Sequence, residues 1–150
     1  MKVGALDELS RVLSDEEVTK IVGGAGRFPN LYPEELPNYV RRNQLFFDGM
    51  KWRYKTPQGK VLTPNGEYNF VVQEGKIYIA RQKFSWGSHI DIARGNKVDF
   101  AGQIRFGHNK NNRGQIKYWN NASGHYKPLA DSAGNAGLPL DLFRQYNFLQ

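Results

Sequence analysis

The segment "NNASGHYKP", residues 120–128, sets a hydroxyl, an imidazole, a phenol and an ammonium group within the five positions Ser123 to Lys127 and closes them with Pro128. Two readings are open: a loop whose side chains do chemistry, or a polar turn that contains a histidine. Histidine is the side chain that titrates nearest neutral pH, so it serves as either acid or base. The chain has three, His89, His108 and His125. His108 lies in "GHNKNNRG", which reads as a solvated hairpin tip. His89 follows Ser88 and stands two residues before Asp91. On a strand, positions 89 and 91 share a face, so Asp91 would orient His89.

Such a set suits metal-free cleavage of RNA. One group takes the proton of the ribose 2′-hydroxyl, another protonates the leaving 5′-oxygen, and cations hold the phosphate. His89 and His125 supply the imidazoles, with Tyr126 and Lys127 beside them as further catalytic candidates. Arg94, Arg105 and Lys117 are candidate phosphate clamps, and Ser88, Asp91, Trp119 and Ser123 complete the expected substrate-binding set. No metal site is read, because His-x-Asp lacks the flanking ligands of a zinc helix, and Asp91 and Asp99 are the only acids between 81 and 127. No cofactor is expected. The glycines of "GGAGRF" follow no strand and precede no Gly-Lys-Ser/Thr, so they are not a phosphate loop.

Charge narrows the target. The net +7 is the excess of residues 81–127 alone, where nine basic residues meet two acidic ones. Residues 1–40 are acidic, with four basic and seven acidic residues. Basic side chains mixed with Trp86, Tyr118, Trp119 and Tyr126 are what a phosphate-backbone binder needs: charge to release counterions and flat rings for stacking bases. A solvated basic face has the same composition. Cysteine is absent, which removes disulfides, thiolate nucleophiles and cysteine metal sites. No apolar run approaches the length of a membrane span, and no apolar signal-peptide core opens the chain.

These groups must be positioned by an α+β domain. Leu6, Leu9, Val12 and Leu13 recur at helical spacing, Val18, Ile21 and Val22 resume it, and Ser14 with Glu17 forms a capping box before the Gly23-Gly24 stop. Residues 1–40 therefore read as two short helices followed by a Gly/Pro connector. Residues 41–150 read as a basic β-rich domain, the whole forming one compact unit. "QLFF", "KWRYKT", "EYNFVV", "KIYIA", "VDFAGQIRF" and "QIKYW" predict a central, mainly antiparallel twisted sheet. One hairpin turns at Glu74-Gly75 and a second carries a long polar loop. Leu142, Phe143, Tyr146 and Leu149 share one face of an expected short C-terminal helix.

The order "HID…GNKVDFAGQIRF…RGQIKYWNNASGHYKP" resembles a module in the C-terminal region of plant IQ-motif calmodulin-binding proteins. It also resembles toxin domains at the C-termini of bacterial polymorphic toxins of the Rhs and contact-dependent inhibition types. The resemblance covers roughly residues 67–128 and rests on His89, Gly102, Gly114, Ser123, Gly124, His125, Tyr126 and Pro128. The Ser-Ser that follows the first histidine in that module is Ile90-Asp91 here, and no IQ motif is present, so calmodulin binding is not implied. The resemblance implies an antibacterial toxin effector. Such a domain is secreted as part of a larger protein, delivered to the target-cell cytoplasm, and held in check by an acidic immunity protein.

Together these readings make the expected protein a monomeric, metal-independent ribonuclease that blocks translation by acting on RNA or the ribosome. Two other classes stand beside it. An ADP-ribosyltransferase would use NAD and a glutamate, for which Glu67 and Glu74 are the only β-region candidates. A non-enzymatic module would simply hold RNA or a protein on the same basic and aromatic face.

Overall fold

The computed structural model describes residues 27–148. The two N-terminal helices expected over residues 1–22, and Leu149 of the expected closing helix, lie outside the described residues. Within them the chain forms one eight-stranded sheet with the order β3-β2-β1-β5-β4-β6-β7-β8. Its strands are β1 (Asn43–Phe47), β2 (Trp52–Lys55), β3 (Val61–Leu62), β4 (Gly66–Gln73), β5 (Lys76–Ala80), β6 (Phe100–Phe106), β7 (Ile116–Asn120) and β8 (Phe143–Arg144). Every neighbouring pair is antiparallel except β7 and β8. The architecture is sheet-dominated α+β, with one short α-helix, α1 (His89–Ala93), and two 3₁₀ segments (Ala130–Ala136 and Leu140–Leu142) among the described residues.

The β4–β5 hairpin turns at Glu74-Gly75, both with positive φ, as a two-residue turn that matches strand twist requires. Strand alternation then gives the sheet two distinct faces. Tyr68, Phe70 and Val72 of β4 pack with Phe100, Ile104 and Phe106 of β6 and Trp119 of β7 against the C-terminal segment, through Ala133, Ala136 and Leu138. On the other face Val71 and Ala101 meet Ile90, Ile92 and Ala93 of α1, together with Val98 and Tyr126. The helix covers only half of this second face. By register the other half carries Glu67 of β4, Gln103 and Arg105 of β6, and Tyr118 and Asn120 of β7, with Asn69 of β4 buried between the halves and bonded to the Gly87 carbonyl.

Two expected elements differ. "SHIDIA" is a helix and not a strand: Ser88 is its N-cap and Asp91 closes a capping box at N3, so Ile90 and Ile92 are buried by a turn of helix. The expected C-terminal helix is replaced by a 3₁₀ turn and β8. The Phe143 ring lies tilted against Trp119, with centroids 4.7 Å apart, and also meets Phe100 edge-on. Its extended backbone lets Phe143 and Arg144 pair with Trp119 and Asn120. Closing the aromatic cluster outweighs the helical periodicity of the segment.

The connector is part of the fold. Phe28 bridges to Val98, the Leu31 amide donates to the His125 carbonyl at 2.8 Å, and the Asn38 amide donates to Asp91 Oδ1 at 2.7 Å. Residues 28–38 thus run as a strap over α1 and the 123–128 loop. Among the described residues no helix is long and apolar enough to cross a membrane.

Candidate active site

The "SGHYKP" loop begins where β7 leaves the sheet, and Gly102 sets how closely it passes. A methyl group there would overlap the Asn120 carbonyl oxygen and stand 2.7 Å from its carbon, so only glycine admits this crossing. Asn120 Oδ1 accepts from the amides of Gln103 (2.9 Å) and Ala122 (3.0 Å), extending the ladder by a side chain. The loop closes on itself through Lys127 N–H to Ser123 O at 2.7 Å and Asn121 Nδ2 to Pro128 O at 2.9 Å. Lys127 takes a left-handed φ of 42°, a strained conformation for a side chain other than glycine.

Tyr126 is the loop's pillar. Its ring is buried against Ile90 and Val98, and its hydroxyl donates to the Asn96 carbonyl at 2.6 Å. Burial pushes its pKa up, so the phenol keeps its proton. The expectation that Tyr126 works as a catalytic group gives way to a positioning role. Ser123 is buried as well, and its Oγ has no hydrogen-bond partner among the described residues.

His89 sits beneath this loop, inside the second face of the sheet. Its Nε2–H donates to the Gly102 carbonyl at 2.7 Å. Burial pulls its pKa down to about 4; the Gly102 hydrogen bond opposes the shift, and the nearby His125 adds to it. A neutral, buried imidazole donates one structural hydrogen bond and is not poised to exchange protons at pH 7. Asp91 does not orient it. The Asp91 carboxylate accepts instead from the amides of Gly87 (3.0 Å), Ser88 (3.3 Å) and Asn38 (2.7 Å), fixing the helix start and the strap.

His125 faces outward. Its Nε2 lies 2.8 Å from Glu35 Oε1, with side chains 24 % and 50 % exposed. The Tyr32 ring stands edge-on to it at 5.6 Å. Because a carboxylate only accepts, Nε2 carries the proton, which puts the lone pair of the neutral ring on Nδ1. A carboxylate-held imidazole, reached by solvent and followed two residues on by the exposed Lys127, is a unit able to take a proton from a bound hydroxyl.

The remaining expected residues scatter. Ser88 caps the helix; Arg94 closes it in a left-handed conformation, donates to the Val40 carbonyl at 2.8 Å and lies 4.5 Å over Tyr39. Trp119 is fully buried, with Nε1 donating to Pro139 O at 2.7 Å, so it is core and not a stacking platform. Lys117 is exposed on β7, and Arg105 lies on the open half of the second face. Among the described residues no group of three or more His, Cys, Asp or Glu is placed to hold a metal.

The structure thus brings His89, Ser123, His125, Tyr126 and Lys127 to one place and sets Arg105 and Lys117 apart on the strands. Glu35 and Tyr32 join them unannounced. They stand in "NLYPEELPN", whose prolines read as a connector and whose carboxylates carry no spacing signal toward a histidine 90 positions away.

Fold and site define an α+β domain built on one sheet, with a histidine–carboxylate pair on the surface of a basic chain. No protein-family model, no curated protein and no solved structure matches it.

Proposed function

We propose that this chain is the toxin effector domain of a bacterial polymorphic toxin and acts on RNA as a metal-independent ribonuclease that blocks translation. The observation that carries the reading is the His125–Glu35 pair, 2.8 Å apart and open to solvent on a chain of net charge +7. The resemblance of residues 67–128 to toxin domains supports the biological class. In this reading a ribose 2′-hydroxyl gives its proton to His125 Nδ1 while Glu35 holds the ring. The 2′-oxygen bonds to phosphorus, the P–O5′ bond breaks, and water protonates the departing 5′-oxygen. Lys127 neutralises charge growing on the phosphoryl oxygens. His89 and Tyr126 hold the loop.

The same reading has the domain secreted within a larger protein and delivered to the target-cell cytoplasm. Its producer is protected by a small acidic immunity protein, which the basic surface attracts quickly and in a salt-sensitive way.

The test is incubation of the purified chain with total RNA, with and without EDTA, and in parallel with labelled NAD. Fragmentation that survives EDTA and disappears in His125→Ala is expected. Intact RNA together with label transferred from NAD would overturn the reading in favour of ADP-ribosyl transfer. RNA bound but never cut would leave a binding module.

A further inference from the structure

The open half of the second sheet face carries a polar cluster separate from His125. Arg105 on β6 donates from Nη1 to Glu67 Oε1 at 3.2 Å and from Nη2 to His108 Nε2 at 3.0 Å. Glu67 is its direct partner across the β4–β6 ladder, and Tyr118 is its partner across β6–β7. The Arg144 guanidinium lies 4.4 Å over the Tyr118 ring and has no carboxylate partner among the described residues. Two guanidinium groups therefore share this patch with one carboxylate. The Arg105 and Glu67 side chains are 36 % and 40 % exposed, so a ligand reaches both.

We infer that Arg105 is a phosphodiester-binding residue for single-stranded RNA, and that Glu67 occupies its fork until a phosphate displaces the carboxylate. A guanidinium presents parallel N–H groups suited to two oxygens of one carboxylate or phosphate. Here the fork is only half used by an anion: one bond goes to Glu67 and the other to an uncharged imidazole nitrogen. An exposed ion pair contributes little to stability, so exchanging its anion costs the fold little. A phosphate arriving at Arg105 keeps both donors occupied, and Arg144 adds a second positive charge beside it. Gln103, the next β6 residue along the same face, continues the polar floor toward Gly102 and the His89 side of the sheet, while its ladder partner Asn69 is buried and donates to the Gly87 carbonyl at 2.9 Å. A strand lying along this row would run from Arg105 toward the "SGHYKP" loop.

This inference rests on the RNA reading, and the test separates the two. A fluorescent single-stranded oligoribonucleotide of about ten nucleotides, 2′-O-methylated so that it cannot be cleaved by 2′-oxygen attack, is titrated with the whole chain at several salt concentrations. Arg105→Gln is expected to weaken binding about tenfold and to flatten the salt slope by about 0.7, the contribution of one single-strand phosphate. Arg105→Lys should keep the slope while losing part of the affinity, because it retains the charge without the fork. Glu67→Gln should tighten binding, since it removes the competing anion. If Arg105→Gln folds poorly, Arg105→Lys and Glu67→Gln decide. Salt-sensitive binding by the unmodified chain that neither Arg105 variant alters would sink this subsite and leave the RNA reading standing. Weaker binding in Glu67→Gln would make the pair a strut between strands. Binding that ignores salt in the unmodified chain would overturn both.

Discussion

His89 Nε2 lies 2.7 Å from the carbonyl oxygen of Gly102, and the imidazole that makes this bond is buried and uncharged. Its pKa, held near 4 by burial, is below the ordinary value of 6.5. Below pH 6.5 the unfolded chain takes up a proton that the folded chain refuses, so stability falls as pH drops from 6.5 to 4. Above 6.5 this group adds no slope. The loss amounts to roughly 3 kcal/mol. Urea unfolding at pH 7, 5.5 and 4.5 should show it, and His89→Gln should remove about one proton from the slope. An unchanged slope in that variant would place the buried proton elsewhere.

Across the loop, His125 and Glu35 are exposed enough that losing their pairing costs at most about 1 kcal/mol. His125→Ala should therefore melt close to the parent yet, under the proposed ribonuclease reading, cleave RNA about 10²–10⁴-fold more slowly. Glu35→Gln should fall in the same direction by less, because it keeps the ring's neighbour and loses its charge. A His125→Ala chain with undiminished cleavage would make the loop architecture only.

Tyr126→Phe tests the pillar. It removes the 2.6 Å bond to the Asn96 carbonyl while leaving the ring in place. The expected cost is about 1–3 kcal/mol in chemical denaturation, with cleavage per folded molecule retained. Lost cleavage at undiminished stability would show that the hydroxyl reacts.

Two glycines of the recognised pattern should behave oppositely. Gly102→Ala overlaps the Asn120 carbonyl and should cost about 3 kcal/mol or more. Gly124→Ala meets nothing within 4 Å and should melt near the parent. Thermal melting of the two variants settles it; equal midpoints would contradict the close passage of the chain leaving β7 past Gly102.

Ser123 offers a separate discriminator. Its buried hydroxyl, without a partner among the described residues, is a cost to the fold, so Ser123→Ala should leave stability unchanged or raise it by up to about 1 kcal/mol. A marked fall in melting temperature would mean that the hydroxyl has a partner in solution.

The sheet was largely legible in the chain. "VVQEGKIYIA" announces its turn because Glu74-Gly75 interrupts two alternating runs, and the aromatic strands announce themselves by period. "SHIDIA" was not legible, since Ile90 and Ile92 at spacing two fit a strand while all five residues of so short a helix are buried. The C-terminal segment misleads for a different reason. Phe143 answers to Trp119, a contact that no local periodicity encodes. The crowding of polar groups around His125 is visible in the chain, whereas its partner Glu35 is hidden there because only the folded strap brings it within 2.8 Å. Tyr126 and Trp119 looked like site residues because their types are ambiguous between core and surface, and burial decides between those.

Each rim of the sheet is a strand of two residues, Val61–Leu62 on one side and Phe143–Arg144 on the other. A rim is where a stranger's backbone is recruited, and a template two residues long supports scarcely one step of a ladder. The aromatic, β-rich interior that would drive fibril growth is enclosed between these blunt margins. A concentrated solution of the folded domain should accordingly stay free of cross-β assemblies, as thioflavin T fluorescence would check.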